Sequence, residues 1–501
     1  MKIMKKLYIV LGMTLLLFTS NAYQVDAYYY SYYEEAIASA PGMIVKRVLT
    51  NEDLTMRFLD IDYPINMVNP VDLFVYNDHM YIVDSELNKI LVLDSNYDVV
   101  FEYPSSVEAH PKHIDKLDAD LLLNRPRGIH VNASSILIAD TENGRLIEFD
   151  HYFNIIGTYG RPSDATFEDS NIDYRPQKIS RDSAGRMFIV AQGIYEGIIE
   201  LDPDGSFNRY TGVNRVAISP LDIFWMRFMT DAQRDQMRLQ LPPSFVNLHM
   251  DAQNFIFAIA NPSSTYTGDG MIKRINPKGL DVLRTQGYFQ PKGDVQFVHG
   301  AEVVESGPSN LVDITVNHFG AYSVLDQKRG RIFTYDSEGN LLYITGEKGN
   351  QSGMFSNPRS LDYFQDDLVV VDAGNRSIIV FELTEFGSLV NEATMQYQQG
   401  LYDESAITWE KVLKHNTNYY LAYRGIGRTL LRNGEYEEAM EHFLLANDTR
   451  NYSIAYKEYR NQRLETYFPI IMVAISGTIF YLFYTSIKAN IRLNKDVGRD
   501  D

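Results

Sequence analysis

The chain has 501 residues, 45% of them hydrophobic, with a formal net charge of −19 at pH 7 and no cysteine. Disulfides, thiolate metal sites and cysteine nucleophiles are therefore excluded, and so acidic a surface disfavours nucleic acid as a partner. The length exceeds one ordinary core, which calls for several domains or a repeat architecture, and 35 tyrosines favour strands.

Residues 1–27 read as a signal peptide. Lys2, Lys5 and Lys6 precede an apolar run, Leu7 to Phe18, that is too short to span a bilayer comfortably. Val25-Asp26-Ala27 offers small residues at the cleavage position, and Ser20-Asn21-Ala22 is a second option. An uncleaved anchor is the alternative.

The body is a repeat, and repeats are sought before single elements. A proline leads to two apolar positions of an inner strand, then to an apolar strand ending in Asp, then to another strand. Pro70 precedes Leu73 and Val75, Met80-Tyr-Ile-Val-Asp84 and Ile90-Leu-Val-Leu-Asp94. Pro126 precedes Ile129 and Val131, Ile136-Leu-Ile-Ala-Asp140 and Leu146-Ile-Glu-Phe-Asp150. Pro176 and Pro358 head two more units; Phe245 and Leu311 take the proline position in the remaining two, which makes six. Turns such as Asn143-Gly144 and Asp204-Gly205 separate the strands. A lone sheet of this kind has open edges and a naked face, and radial stacking removes both, so a six-bladed β-propeller is expected over residues 41–387. Units two and five carry a fourth strand, Ile155–Tyr159 and Leu341–Thr345, whereas unit six turns helical after Glu382. Its open edge needs a partner, and Met43–Val48, ahead of unit one, is the strand available to close the ring.

Between units three and four, Ile218–Leu239 breaks the strand period. Trp225, Phe228 and Met229 give it a large apolar load, and it is expected to act as a lid or partner dock or to pack on blade edges.

From residue 388 to 464 the pattern is helical. Gly400-Leu-Tyr402-Asp-Glu404-Ser405 and Gly434-Glu-Tyr436-Glu-Glu438-Ala439 are offset by 34 residues, as are Trp409 and Phe443. Gly427 is expected where two helices approach closely, and a third helix is expected over Ser453–Arg463. Residues 466–487 are uncharged. At about 1.5 Å per residue they reach ~33 Å, enough for one transmembrane helix. With the leader, this places the large N-terminal part outside the cell and 488–501 in the cytoplasm.

Two families are resembled. Ile-Val-Asp84-Ser-Glu-Leu-Asn88, Ile-Ala-Asp140-Thr-Glu-Asn143, Val-Val-Asp372-Ala-Gly-Asn375 and the run Gly346 to Pro358 resemble the NHL repeat, most strongly in units one, two, five and six. The 34-residue offset resembles the tetratricopeptide repeat, with Thr417 where that repeat prefers proline. The whole is similar to exported NHL-repeat proteins of Gram-positive bacteria. That resemblance implies a membrane-anchored binding or scaffold protein that captures or presents a ligand, a glycan or a protein partner, beside an ABC-type uptake system.

Catalytic motifs are absent: there is no Gly-x-Ser-x-Gly, His-Glu-x-x-His or phosphate-binding loop. Asp202-Pro-Asp204-Gly205 lacks the acidic residue that closes a calcium loop and is a turn. His130 and His249 share one slot of the inner strand, where the other units carry Phe74, Ser180, Thr315 and Asp362. A propeller enzyme of lactonase or lyase type would use such a slot for a metal, but no third His joins them, and no cofactor, metal or catalytic residue is assigned. The residues just after the proline position are expected to rim the channel and bind a ligand: Asp72, Arg127, Gln177, Lys178, Asn247, Asp313 and Arg359.

Overall fold

A computed structural model describes residues 27–163, 167, 173–212, 244–260, 270–295 and 307–497. The leader to residue 26, the segment 213–243 with Trp225, Phe228 and Met229, and residues 498–501 of the expected cytoplasmic tail lie outside them. The chain divides into two units, Met1–Asn391 and Glu392–Asp501.

In the first unit the six sequence repeats fold as six blades. The innermost strands are Pro70–Tyr76, Gly128–Val131, Pro176–Arg181, Phe245–Met250, Leu311–Val316 and Pro358–Phe364. They touch in sequence order, and the sixth touches the first, so the ring is closed. Each continues outward through antiparallel neighbours, as in blade two, where Ile136–Asp140, Arg145–Phe149 and Ile155–Tyr159 follow. Second strands such as Ile136–Asp140 are buried throughout. They therefore read as continuous apolar runs, because both faces of each sheet meet a neighbouring blade. One apolar cluster joins Val369, Val371 and Val380 of blade six to Leu73, Ile82 and Leu91 of blade one. Another joins blade one to Ile136, Ile138 and Phe149 of blade two.

The expected closing strand is Met43–Leu49. It pairs antiparallel with Ser377–Leu383 of blade six, with Ile44 opposite Glu382 and Leu49 opposite Ile378. Leu49 is 1% exposed in the cluster between blades six and one. The start of this strand is tied down as well, since Thr384 N and Oγ1 donate to Gly42 O (3.0 Å) and Pro41 O (2.6 Å).

The recurring Asp that ends the second strand is a loop clamp. In blade six Asp372 accepts from the backbone N–H of Ser356 (2.6 Å), Asn357 (2.9 Å), Gly374 (2.8 Å) and Asn375 (3.1 Å). Asp84 does the same with Val68, Asn69, Glu86 and Leu87. A carboxylate here satisfies loop donors that no ladder reaches.

Several elements exceed expectation. Blades one and three also have fourth strands, Val99–Tyr103 and Phe207–Thr211. Blade one gains an outer hairpin, Thr55–Phe58 with Ile61–Pro64. A short hairpin, Tyr28–Tyr30 with Ala36–Ala38, puts Tyr30 into the apolar cluster of blades four and five, where its hydroxyl donates to Asp294.

In the second unit α1 (Glu385–Gln398) contributes its last residues, followed by α2 (Tyr402–His415), α3 (Tyr420–Asn433), α4 (Tyr436–Leu445) and α5 (Thr449–Val497). α2 packs on α3, α3 on α4 and α4 on α5. A Cβ on Gly427 would lie 2.8 Å from Phe443, and one on Gly425 would lie 2.4 Å from Trp409 Nε1, so both helix contacts require glycine. The expected third helix and the apolar span are not separate. They form one helix that passes through Pro469, because the charge boundary near Glu465 is not a backbone boundary. Among the described residues this is the one helix long and apolar enough to cross a membrane.

Two predictions follow from the ring. Leu49→Ala should cost about 2–5 kcal/mol in denaturant unfolding, whereas Ile44→Ala on the same strand, 46% exposed, should stay within about 0.5 kcal/mol. A free-hanging strand would make both silent. Glu148 of blade two meets Arg181 of blade three. Burial alone would raise its carboxyl, but hydrogen bonds from Arg181, Ser135 and Tyr159 outweigh that and hold it at about 2, against an ordinary 4.5. Its contribution to stability is thus present above about pH 4.5 and lost as pH falls toward 2. Glu148→Gln should lower stability near neutrality, with the gap to the parent narrowing on acidification in paired urea titrations at pH 7 and pH 3.

Candidate functional site

Because the six blades are separate sheets, the innermost strands cannot pair backbone to backbone with their neighbours. Their inward N–H groups need other acceptors. Side chains two residues into these strands supply them. Asp72 of blade one accepts from Ile129 N of blade two (2.9 Å). Asp313 of blade five accepts from Leu361 N of blade six (2.9 Å). Ser360 of blade six accepts from Leu73 N of blade one (3.1 Å) and donates to both Asp72 and Asp313. Asn247 of blade four donates to Val312 O (2.8 Å) and to Asp313 (2.6 Å). Lys178 of blade three reaches across the channel to Asp72. Asp72, Asn247, Asp313 and Ser360 are all buried.

This belt is electrostatically tight. Burial alone would lower the Lys178 ammonium, yet Asp72 and then Asp313 more than offset it, so the ammonium is held above its usual range. Burial pushes the Asp72 carboxyl up; Lys178 opposes that and Asp313 adds to it. The two directions are compatible: the cation is firmly protonated, and Asp72, buried beside the second carboxylate of Asp313, is the harder to ionise for its burial.

One layer deeper, the slot residues Phe74, His130, Ser180, His249, Thr315 and Asp362 come together as expected. Asp362 accepts from Val75 N (2.7 Å) and Thr315 Oγ1 (2.6 Å), again crossing between blades. His130 packs edge-on to Phe74 at 4.9 Å and is held neutral. Burial, then His249 and Arg181, push it down to about 3. Among the described residues no group of three or more His, Asp or Glu side chains stands where it could hold a metal ion.

Above the belt is an open cavity of about 270 Å³. One residue from each blade lines it: Val71, Arg127, Gln177, Val246, Val312 and Arg359. In blades one, three, four, five and six this residue is the extra one of a β-bulge, skipped by the ladder between the proline position and the belt residue. The bulge lets two consecutive side chains approach the axis, one above the other. The seven expected site residues therefore separate by height. Arg127, Gln177 and Arg359 face the cavity with Lys178 at its floor, whereas Asp72, Asn247 and Asp313 lie beneath it, engaged in holding the blades together. Asn69, Ser85 and Asn310 also line the cavity and were not expected. Asn69 and Asn310 directly precede the proline position of their units, which is the signal that points to them.

No protein-family model matches the chain, and no curated protein matches it. Among solved structures it is similar to virginiamycin B lyase from Staphylococcus aureus, with 11% identity, covering 64% of this chain and 98% of that one, at a TM-score of 0.37. It is also similar to hydrazine synthase of Kuenenia stuttgartiensis, with 9% identity over 66% of this chain and 99% of that one, at a TM-score of 0.39. A third is an extracellular domain from B. thetaiotaomicron, with 16% identity over 60% and 34%, at a TM-score of 0.34. At these values nothing about ligand or reaction carries over, and the six-bladed ring stands on its own strand pairing.

Removing the belt's cation should expose its role. Lys178→Met strands two buried carboxylates and should cost about 3–5 kcal/mol in denaturant unfolding. Asp72→Asn together with Lys178→Met should recover most of that loss. A single-variant cost below about 1 kcal/mol would show that the carboxylates do not depend on this lysine.

Proposed function

We propose that this protein is a membrane-anchored extracellular binding protein whose propeller holds a ligand at the mouth of its central channel. One observation carries the proposal: six blades each place a side chain around a single cavity, and directly beneath it Asp72, Lys178, Asn247, Asp313 and Ser360 are already engaged with one another or with the next blade. A floor so engaged is rigid, while Arg127, Gln177 and Arg359 remain directed at the cavity, which suits recognition by pre-organised donors. At about 270 Å³ the cavity suits one small polar molecule or the end of a longer one, a glycan terminus or a peptide terminus.

The leader of residues 1–27 and the apolar span of residues 466–487 support export and a single-pass anchor, with the propeller outside and 488–501 in the cytoplasm. The resemblance to NHL and tetratricopeptide repeats supports a binding or scaffold role for both units. It is also the sole support for an ABC-type uptake partner.

The full-length chain in detergent micelles should be screened against glycans and peptides, with bound ligands located by hydroxyl-radical footprinting. Protection of Gln177, Asn69 and Asn310 is the expected result. A ligand that protects none of these, or a stoichiometric divalent ion removable by chelator together with turnover of a lactone, would overturn the proposal, the latter in favour of the enzyme alternative.

A further inference from the structure

The mouth cavity carries an unbalanced charge. Among the described residues its ionisable lining is Arg127, Lys178 and Arg359, all cations. Lys178 is matched by Asp72 beneath it. The guanidinium groups of Arg127 and Arg359 have no hydrogen-bonded or ion-paired partner among the described residues, and Arg359 Nε is buried without an acceptor. Burial first, and the charge of Arg127 second, lower the Arg359 pKa; Asp372 opposes the shift. The oxygens of Asp372 are already held by four backbone N–H groups, so it is not free to turn toward Arg359. Among the described residues no carboxylate forms an ion pair with either arginine, in a chain of net charge −19. Two like charges aimed into one concavity from blades two and six repel each other until an anion enters between them.

Granted a ligand at the mouth, as proposed above, we infer that it is a monoanion carrying a carboxylate, clamped between Arg127 and Arg359, with Gln177, Asn69 and Asn310 left to read its neutral polar groups. A guanidinium fork matches a planar carboxylate in two parallel hydrogen bonds. The charge of the ligand is limited from below. Asp72 and Asp313 lie under the cavity floor, and among the described residues Lys178, paired with Asp72, is the cation of the belt, so a second negative charge would meet their repulsion. An acidic sugar and a peptide C-terminus both present the required group.

The test uses the full-length chain in micelles and matched probes followed by isothermal titration and by ligand-observed NMR. Glucuronate is compared with glucose, N-acetylglycine with N-acetylglycinamide, and glucose 6-phosphate serves as the dianion. The expected result is binding of at least one carboxylate probe, with its neutral counterpart and the dianion each weaker by about tenfold or more. Which of the two carboxylates binds distinguishes a sugar source from a peptide source. Arg127→Gln and Arg359→Gln should each weaken that probe by about tenfold, while the ligand-free melting temperature stays level or rises, because a repulsion has been removed. A drop in ligand-free stability would mark the arginines as structural and overturn the inference. Neutral probes that bind at the mouth as well as the carboxylates would overturn the anionic assignment and leave the mouth as a binding site. No probe bound at the mouth, with footprinting of the screened ligands elsewhere, would defeat both.

Discussion

The ring is closed by pairing the last blade with a strand from ahead of the first, and this interaction organises the first unit. Blade six offers three strands from its own repeat, and the outermost, Ser377–Leu383, would face solvent with open hydrogen-bonding groups. Met43–Leu49 covers it from the far end of the repeat region. The same pairing sets Leu49 between blades six and one, so closure and inter-blade packing are one event. Because chain start and repeat end are joined, no blade can leave without breaking a neighbour, and the axis is fixed well enough to carry a site.

Polarity in the channel is arranged by height. Where adjacent inner strands cannot bond to each other, Asp72, Asp313, Asp362 and Ser360 take the orphaned N–H groups of the next blade. These are buried charges spent on structure, with Lys178 drawn across the axis to match them. Directly above, Arg127, Gln177 and Arg359 face the cavity and take no part in joining the blades. A charged side chain near a channel is thus structural or available for a ligand according to which of two consecutive positions it occupies.

That difference explains what the sequence does and does not disclose. Six units, the closing strand and the slot holding His130 and His249 are legible, because apolar runs punctuated by proline and Asp have one economical packing. The fourth strands of blades one and three are not. Phe207–Thr211 is half exposed, with no clean alternation, so its pattern resembles a loop. Tyr28–Tyr30 is too short to show any period, and the structure shows its burial against blades four and five only through tertiary contact. For the site, all seven expected residues fall near the axis, but nothing in the composition tells which of the two positions after the proline faces the cavity, so Asp72 and Arg127 fall in one expected group. Counting from the proline position separates them, since Val71, Arg127, Gln177, Val246, Val312 and Arg359 each follow it directly, whereas Asp72, Lys178, Asn247 and Asp313 lie two residues on. In the second unit the close approach at Gly427 is legible as a small residue at a helix contact, whereas that of Gly425 to Trp409 shows only in the structure. The continuity of α5 through Pro469 is not, because a change in charge looks like the end of an element.

The absence of native cysteine gives closure a direct test. Ile44 and Glu382 stand opposite each other across the closing pair, on the exposed side of the ladder. In an Ile44→Cys, Glu382→Cys double variant the account predicts a spontaneous intramolecular disulfide under mild oxidation, seen as a crosslinked peptide pair in mass spectrometry after proteolysis. Two freely alkylated thiols after the same treatment would show that the two ends of the repeat region do not meet, and the ring would have to be abandoned.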